Sequence, residues 1–405
     1  DYEGYRLINA TGKYVIPGGI DPHVHLALPT PAGNSSDDFA TGSIAALSGG
    51  TTSIIDFVTP RRGESLVLAL QKRRAEAAQS LCNWNLHMGI SEWNPKVKDE
   101  LVYLINFEGI KTVKAYLAYK ESVGITLEDL KHLMELAGNL GVIVLVHCED
   151  GDRIDQLKTQ LVREGKTEAY HHPSSRPIET EIDAIRQVIS LSEQTNCEIY
   201  IVHTSTGMGG QMIREARDKG LRVHGETCIQ YLILDDEVYD DSDPNSEVLP
   251  FIISPPFRSL EQQELLWREL AKGAFDTVAT DHCPFNLYGQ KDKGLKDFTM
   301  VPNGAGGIEY RLSLLYTYGV LSGYITMEQF VMLTSTRAAE LFGWGDHKGR
   351  LKPGFDADIV IWNPDTPSII TVKQQKQRCD SNIYEGIPVK GKAEWIICSG
   401  ELSKY

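Results

Sequence analysis

The chain has 405 residues, 41% hydrophobic and 23% charged, enough for a large buried core in a globular protein. Its formal net charge of −15 argues against a nucleic-acid surface, which needs a basic patch, and against an anionic membrane. No run approaches the ~18 apolar residues of a membrane span, and no signal-peptide pattern precedes the fold, so no membrane partner is expected. Seven scattered cysteines (82, 148, 197, 228, 283, 379 and 398), with no C-x-x-C, read as reduced thiols of a cytoplasmic protein. Asp1 is not an initiator methionine, which leaves room for a longer natural sequence.

In chain order, β-branched runs alternate with amphipathic segments of helical length. Strands are predicted over 20–25, 52–57, 85–90, 112–116, 142–147, 198–203, 222–226 and 277–281. Helices are predicted over 38–48, 66–80, 96–106, 127–140, 178–194, 209–218 and 260–272. Eight strands alternating with helices point to an α/β fold, a closed (β/α)8 TIM-like barrel. An open doubly wound sheet is the alternative, but it would ordinarily begin with a Gly-rich turn opening a helix. The tail (349–354, 357–362, 393–399) reads as turns and short strands. With the first residues it suggests a small β-sandwich, dividing the chain into a barrel over 17–344 and an accessory unit over 1–16 plus 345–405. Stretches 27–37, 149–176, 227–258 and 282–304 read as structureless loops following strands, on the face where barrel active sites are built.

The most informative stretch is Val15-Ile16-Pro17-Gly18-Gly19-Ile20-Asp21-Pro22-His23-Val24-His25. Residues two apart on a strand share a face, so both imidazoles can reach one cation. An H-x-H alone fits a polar surface pair equally well. Here, however, His147, His203 and Asp281 also fall at ends of predicted strands, where barrel side chains converge. Lys114 lies inside a strand that should be buried. It can snorkel to solvent, pair with a carboxylate, or, as a neutral amine of lowered pKa, add carbon dioxide to give a carbamate able to bridge two cations.

Other candidates read more plainly. His282 should point away from Asp281 and hydrogen-bond outside the ligand set. His171 and His172 lie in a polar loop and read as solvated, and His224 as a supporting or core residue. His87, His132 and His347 belong to no cluster. Tyr116 and Tyr119, beside Lys114, are either packing aromatics or pocket residues.

The chain resembles cyclic amidohydrolases of the dihydropyrimidinase and D-hydantoinase branch. The resemblance rests on the stretch 17–25 above, Gly49-Gly50-Thr51-Thr52, Val113-Lys114-Ala115-Tyr116-Leu117-Ala118-Tyr119-Lys120, Val146-His147-Cys148-Glu149 and Val202-His203-Thr204-Ser205. It continues through Gly225-Glu226-Thr227-Cys228-Ile229-Gln230-Tyr231, Ser254-Pro255-Pro256-Phe257-Arg258, Ala279-Thr280-Asp281-His282-Cys283-Pro284-Phe285 and Pro302-Asn303-Gly304-Ala305. It implies two Zn2+ or similar ions, one on His23, His25 and Asp281, the other on His147 and His203, bridged by N6-carboxylated Lys114. Tyr119 would steady the oxyanion. Ser254 and Asn303 would bind the substrate's amide edge through backbone groups.

Asp281 would serve as base and then acid, and the substrate would be a small cyclic ureide, a dihydropyrimidine or hydantoin, opened to an N-carbamoyl amino acid. The resemblance also implies a homo-oligomer, a tetramer. Ile229, Phe257 and Gly306 stand where such enzymes ordinarily carry proline, leucine and proline. Allantoinase and dihydroorotase share a similar metal set, and non-catalytic dihydropyrimidinase-related assembly proteins share the fold. Retention of all six ligand positions argues against the last.

Overall fold

The computed structural model describes residues 7–240 and 247–403. The strands, in chain order, are β1 (Tyr14–Pro17), β2 (Gly19–Val24), β3 (Pro29–Thr30), β4 (Gly33–Asn34), β5 (Thr51–Val58), β6 (Asn83–Gly89) and β7 (Thr112–Tyr116). They continue as β8 (Ile143–His147), β9 (Ile199–Ile201), β10 (Val223–Cys228), β11 (Thr277–Ala279), β12 (Ile359–Ile369), β13 (Pro388–Cys398) and β14 (Glu401–Ser403). Eight of them, β2 and β5 to β11, lie side by side in chain order and run parallel. All eight were legible because a strand covered on both faces reads as a nearly continuous apolar run. In β5 all eight residues are buried.

The ring closes between β11 and β2. A single parallel bridge joins Val24 to His282 just beyond β11, and His25 N donates to His282 O at 2.8 Å. Beneath it the fully buried Arg311 donates to Ile20 O at 2.8 Å and to Val278 O at 3.2 Å, stapling both seam strands through their carbonyls. Period-two alternation sends Ile55 and Phe57, Leu145, Tyr200 and Val202 into the barrel. There they pack on Phe342 and Ala338 from the C-terminal helices, which close the floor. The second apolar layer lies between strands and outer helices, and its larger members each contribute about 1.5–3 kcal/mol by burial.

Helices appear where the apolar spacing placed them, with ends set by side-chain caps such as Asn94 before Pro95–Phe107 and Thr126 before Leu127–Leu140. The stretches expected to be structureless are corrected in several places. The stretch 149–176 contains a thirteen-residue helix, Gly151–Arg163, capped by Asp150, whose side chain accepts from Arg153 N at 3.2 Å. Only Gly151, Ile154 and Leu161 of it are buried, so its long polar face masked the helical spacing. Loop 27–37 holds the small β3–β4 hairpin, and 227–258 opens with the short helix Ile229–Ile233. The C-terminal side of the barrel adds Arg311–Leu315, Met327–Val331 and Arg337–Leu341, none of them expected from the sequence.

The accessory unit is an antiparallel sheet in the order β1-β12-β13-β14, built from both chain ends. Val360, Trp362 and Ile396 face inward and join the main core. Gly18 makes the junction possible, since a Cβ there would meet Thr52 Oγ1 at 2.0 Å. Residues 1–6 and 404–405 of the expected accessory unit, and 241–246 of the expected loop, lie outside the described residues.

Candidate metal centre

At the C-terminal mouth of the barrel, His23 lies in β2 and His25 one residue beyond it, and Asp281 lies two residues past β11. Their ligand atoms converge. His23 Nε2 and His25 Nε2 are 3.2 Å apart, and each is 3.1 Å from Asp281 Oδ1. The loop that carries His25 is fixed on both sides: Ser35 Oγ donates to His25 O at 2.8 Å, and Leu26 N donates to Asp56 Oδ2 at 2.8 Å. A second pair faces this group. His147 ends β8, His203 lies two residues past β9, and His147 Nδ1 is 2.9 Å from His203 Nε2. The His23 and His203 rings lie 5.4 Å apart, so the two halves adjoin.

Lys114 stands between them. It is fully buried in β7, with Nζ 5.3 Å from the Phe57 ring centre and 4.8 Å from that of Tyr116. Phe57 in turn packs 4.7 Å from both His23 and His25, and Tyr116 packs 5.8 Å from His147. Among the described residues Lys114 Nζ has no hydrogen-bond acceptor. Burial brings its pKa down to about 8. It neither snorkels to solvent nor pairs with a carboxylate among the described residues.

The surrounding carboxylates were not singled out by sequence reasoning. Glu226 in β10 accepts from His23 Nδ1 at 2.7 Å, from His203 N at 2.9 Å and from the Tyr200 hydroxyl at 2.9 Å. Glu149 accepts from His147 Nε2 at 2.9 Å and from Arg176 Nη1 at 2.5 Å. Each carboxylate fixes the tautomer that turns the opposite ring nitrogen inward, the arrangement expected of supported metal-ligating histidines. The one available signal was position: Glu149 follows His147 by two residues, and Glu226 sits in a buried strand.

The electrostatics fit a cation. Burial opposes charge on His23, yet Glu226 and Asp281 outweigh it and bring the imidazole up to about 9. Burial likewise opposes ionisation of Asp281, but His23 and His25 hold its carboxyl well below the usual range. His203 is driven well below its ordinary value by burial and by His147, so its ring is held neutral. Converging imidazole nitrogens, ionised carboxylates and an orphaned buried amine make a donor set suited to divalent metal ions. Backbone strain gathers here too: Tyr119, His203 and Asp281 all hold φ between +36° and +60°.

Tyr119 lies at the rim, its ring 5.3 Å from that of His147, with the Arg176 guanidinium 5.3 Å from its centre. Its carbonyl accepts from the N–H groups of Ser122, Val123 and Gly124. Arg62 holds the same turn through Lys120 O at 2.6 Å and Gly124 O at 2.8 Å. Ser254 and Asn303 come together from separate loops, Asn303 Nδ2 donating to Ser254 Oγ at 2.9 Å, so their side chains are engaged with each other. His282 turns outward as expected, donating to Asp37 Oδ2 at 3.0 Å and accepting from Gly307 N at 3.1 Å. His172 is a correction. It is buried and donates to Ile253 O at 2.8 Å, because the loop around it packs against the loop leading to Ser254.

A family model described as the amidohydrolase family matches residues 14–402. The chain belongs to the amidohydrolase family. This amidohydrolase is 40% identical over 403 residues to a D-hydantoinase of Geobacillus stearothermophilus, covering 99% of this chain and 85% of that protein. It is 36% identical over 402 residues to a dihydropyrimidinase of Dictyostelium discoideum, covering 99% and 80%. The crystal structure of a dihydropyrimidinase from Brevibacillus agri superposes with a TM-score of 0.96 at 40% identity, covering 99% of this chain and 87% of that one. The likeness runs over the whole fold, barrel and accessory sheet together. Among the described residues no helix is long and apolar enough to cross a membrane.

Proposed function

We propose that this amidohydrolase opens neutral cyclic ureides, dihydropyrimidines first and hydantoins second, to N-carbamoyl amino acids. The observation that carries the proposal is the unpaired buried amine of Lys114 between the two histidine groups. The metals would be two Zn2+ or similar ions, one held by His23, His25 and Asp281 and the other by His147 and His203, with carboxylated Lys114 between. When bound, such a pair polarises a carbonyl and lowers the pKa of water towards neutrality.

The residues of the chain do the rest. Asp281, held ionised, accepts a proton from the attacking water and returns it to the departing ring nitrogen. An amide nitrogen leaves poorly as an anion, so this second transfer matters as much as the attack. The Tyr119 hydroxyl donates to the carbonyl oxygen as negative charge builds there. Ser254 and Asn303 grip the N–H and C=O edge of the ring, and their mutual hydrogen bond pre-orients that grip. Dihydrouracil would yield an N-carbamoyl β-amino acid, a hydantoin an N-carbamoyl α-amino acid.

The cations beside the proposed pocket favour neutral rings. Arg176 is engaged by Glu149, and Arg62 by backbone carbonyls. The protein is further proposed to act as a cytoplasmic homotetramer with neither nucleic-acid nor membrane partners. Its seven cysteines, all free, accord with a reducing compartment.

A kcat/KM panel over dihydrouracil, dihydrothymine, hydantoins, allantoin and dihydroorotate, with metal content measured on the same preparation, tests the reading. Dihydrouracil is expected to lead and dihydroorotate to be poor. A higher kcat/KM for dihydroorotate or allantoin would overturn the substrate assignment, and a metal-free, inactive protein would point to an assembly role.

A further inference from the structure

Lys291 is the second fully buried lysine among the described residues, and the chemistry described so far does not use it. It lies in the short turn of helix Lys291–Gly294, on the loop that follows Asp281. Its Nζ donates to Ile252 O at 2.9 Å and to Pro250 O at 3.4 Å. No carboxylate pairs with it among the described residues. An apolar side chain of similar length would fill the same space without burying an amine, so packing alone does not account for a lysine here.

What those carbonyls hold gives the account. Ile252 O also accepts from Gly304 N at 3.1 Å, so one oxygen receives the Lys291 amine and the backbone of a second loop. Ile252 precedes Ser254 by two residues, and Gly304 directly follows Asn303. Gly304 sits at φ +149°, and a Cβ on it would meet Cys283 O at 2.4 Å, so this backbone is held close with no slack. At its other end, Lys291 N donates to Asn286 O at 3.0 Å, fixing the lysine within the loop that follows Asp281.

We propose that Lys291 is a positioning residue for the substrate, fixing the Ser254 and Asn303 loops in register with each other and with the loop that follows Asp281. The proposal rests on the reading above that Ser254 and Asn303 bind the ureide edge. Lys291 touches no reacting atom. A grip exerted equally on ground state and transition state appears in KM and leaves kcat alone.

The test compares Lys291→Met, which keeps the stem and loses the donors, with Lys291→Gln, which keeps two N–H donors on a shorter stem. Both are measured as metal-loaded enzyme on dihydrouracil, and the parent also on N-methylated dihydrouracil, which lacks the gripped N–H. Lys291→Met is expected to raise KM about tenfold, ~1.4 kcal/mol of lost binding, with kcat within threefold of the parent. Lys291→Gln is expected to recover a large part of that KM. Hydrogen exchange without substrate should be faster in Lys291→Met at the amides of 252–254 and 303–305. Parental KM in Lys291→Met, or a fall in kcat at constant KM, overturns the proposal, as does a Gln variant no better than Met. Should the Met variant not fold, Lys291→Gln with parental KM and slow exchange supports donor-mediated pinning, and Gln with KM raised tenfold or more rejects it. If N-methylation of the substrate leaves the parent's KM unchanged while exchange rises in Lys291→Met, the substrate-edge reading has failed and the loop pin itself stands.

Discussion

The two ends of the barrel treat buried charge in opposite ways. At the floor, Asp276 beside β11 is matched by Arg217 at 2.7 Å, by Arg337 at 2.6 Å and by His224 at 3.3 Å. At the mouth, among the described residues, Lys114 Nζ and His25 Nδ1 are buried with no hydrogen-bond partner, and Tyr119, His203 and Asp281 sit in left-handed backbone. The charges at the floor are balanced by one another. Those at the mouth are arranged for something that enters from outside, and the cost of holding them apart falls on the fold.

Substitutions should therefore separate stability from activity in opposite directions at the two ends. The largest effect is expected from Lys114→Met. It should abolish binding of at least one metal and lower activity by at least ~10³-fold, while raising the stability of metal-free protein by about 1–4 kcal/mol, since a buried unpaired amine is replaced by an apolar chain. Metal analysis and denaturant unfolding of chelated protein check both halves. A fully active, metal-loaded enzyme in which Lys114 is unmodified would reject the bridge.

Tyr119→Phe should come next. Its metals and unfolding midpoint should match the parent, with kcat lowered ~10²–10³-fold, as for loss of one oxyanion donor. Unchanged kcat would make Tyr119 a packing residue. Asp276→Asn should do the reverse, costing roughly 2 kcal/mol at neutral pH with kcat untouched. Burial opposes ionisation of Asp276, but the His224 hydrogen bond and the two arginines bring its pKa down to about 2 from 3.8. Because the shift is downward, this stabilisation is complete above about pH 4 and disappears as pH falls through about 2. The stability gap between parent and variant should close over that window in acid unfolding curves.

The two ends also differ in how far the sequence reveals them. The barrel strands were readable because hydrophobic runs are local. The six proposed ligands were readable because an H-x-H and single ionisable residues ending apolar runs stand out against their neighbours. What supports them was not. Glu226 reaches His23 across 203 positions, Arg176 reaches Glu149 across 27, and Lys291 reaches Ile252 across 39. No local pattern encodes such a meeting. His172 was misread for the same reason: its polar neighbours describe a loop, but the partner that buries it lies 81 positions away. The Gly151–Arg163 helix failed differently, since its apolar face is too narrow to stand out.

The seam between the first and last barrel strands has a consequence for assembly of the chain. Thr280 and Asp21, joined there at 2.6 Å, are 259 positions apart, and bringing such distant points together costs about 5 kcal/mol of loop-closure entropy. His23 and His25 stand on one side of that seam, Asp281 on the other. An ion shared by the three would act as a clasp across the join, and at a thousand times its Kd it returns about 4 kcal/mol, close to what closure costs. Metal supply would then govern how long the barrel stays shut as well as whether it catalyses. A cell short of the ion would hold chains prone to open along this one line.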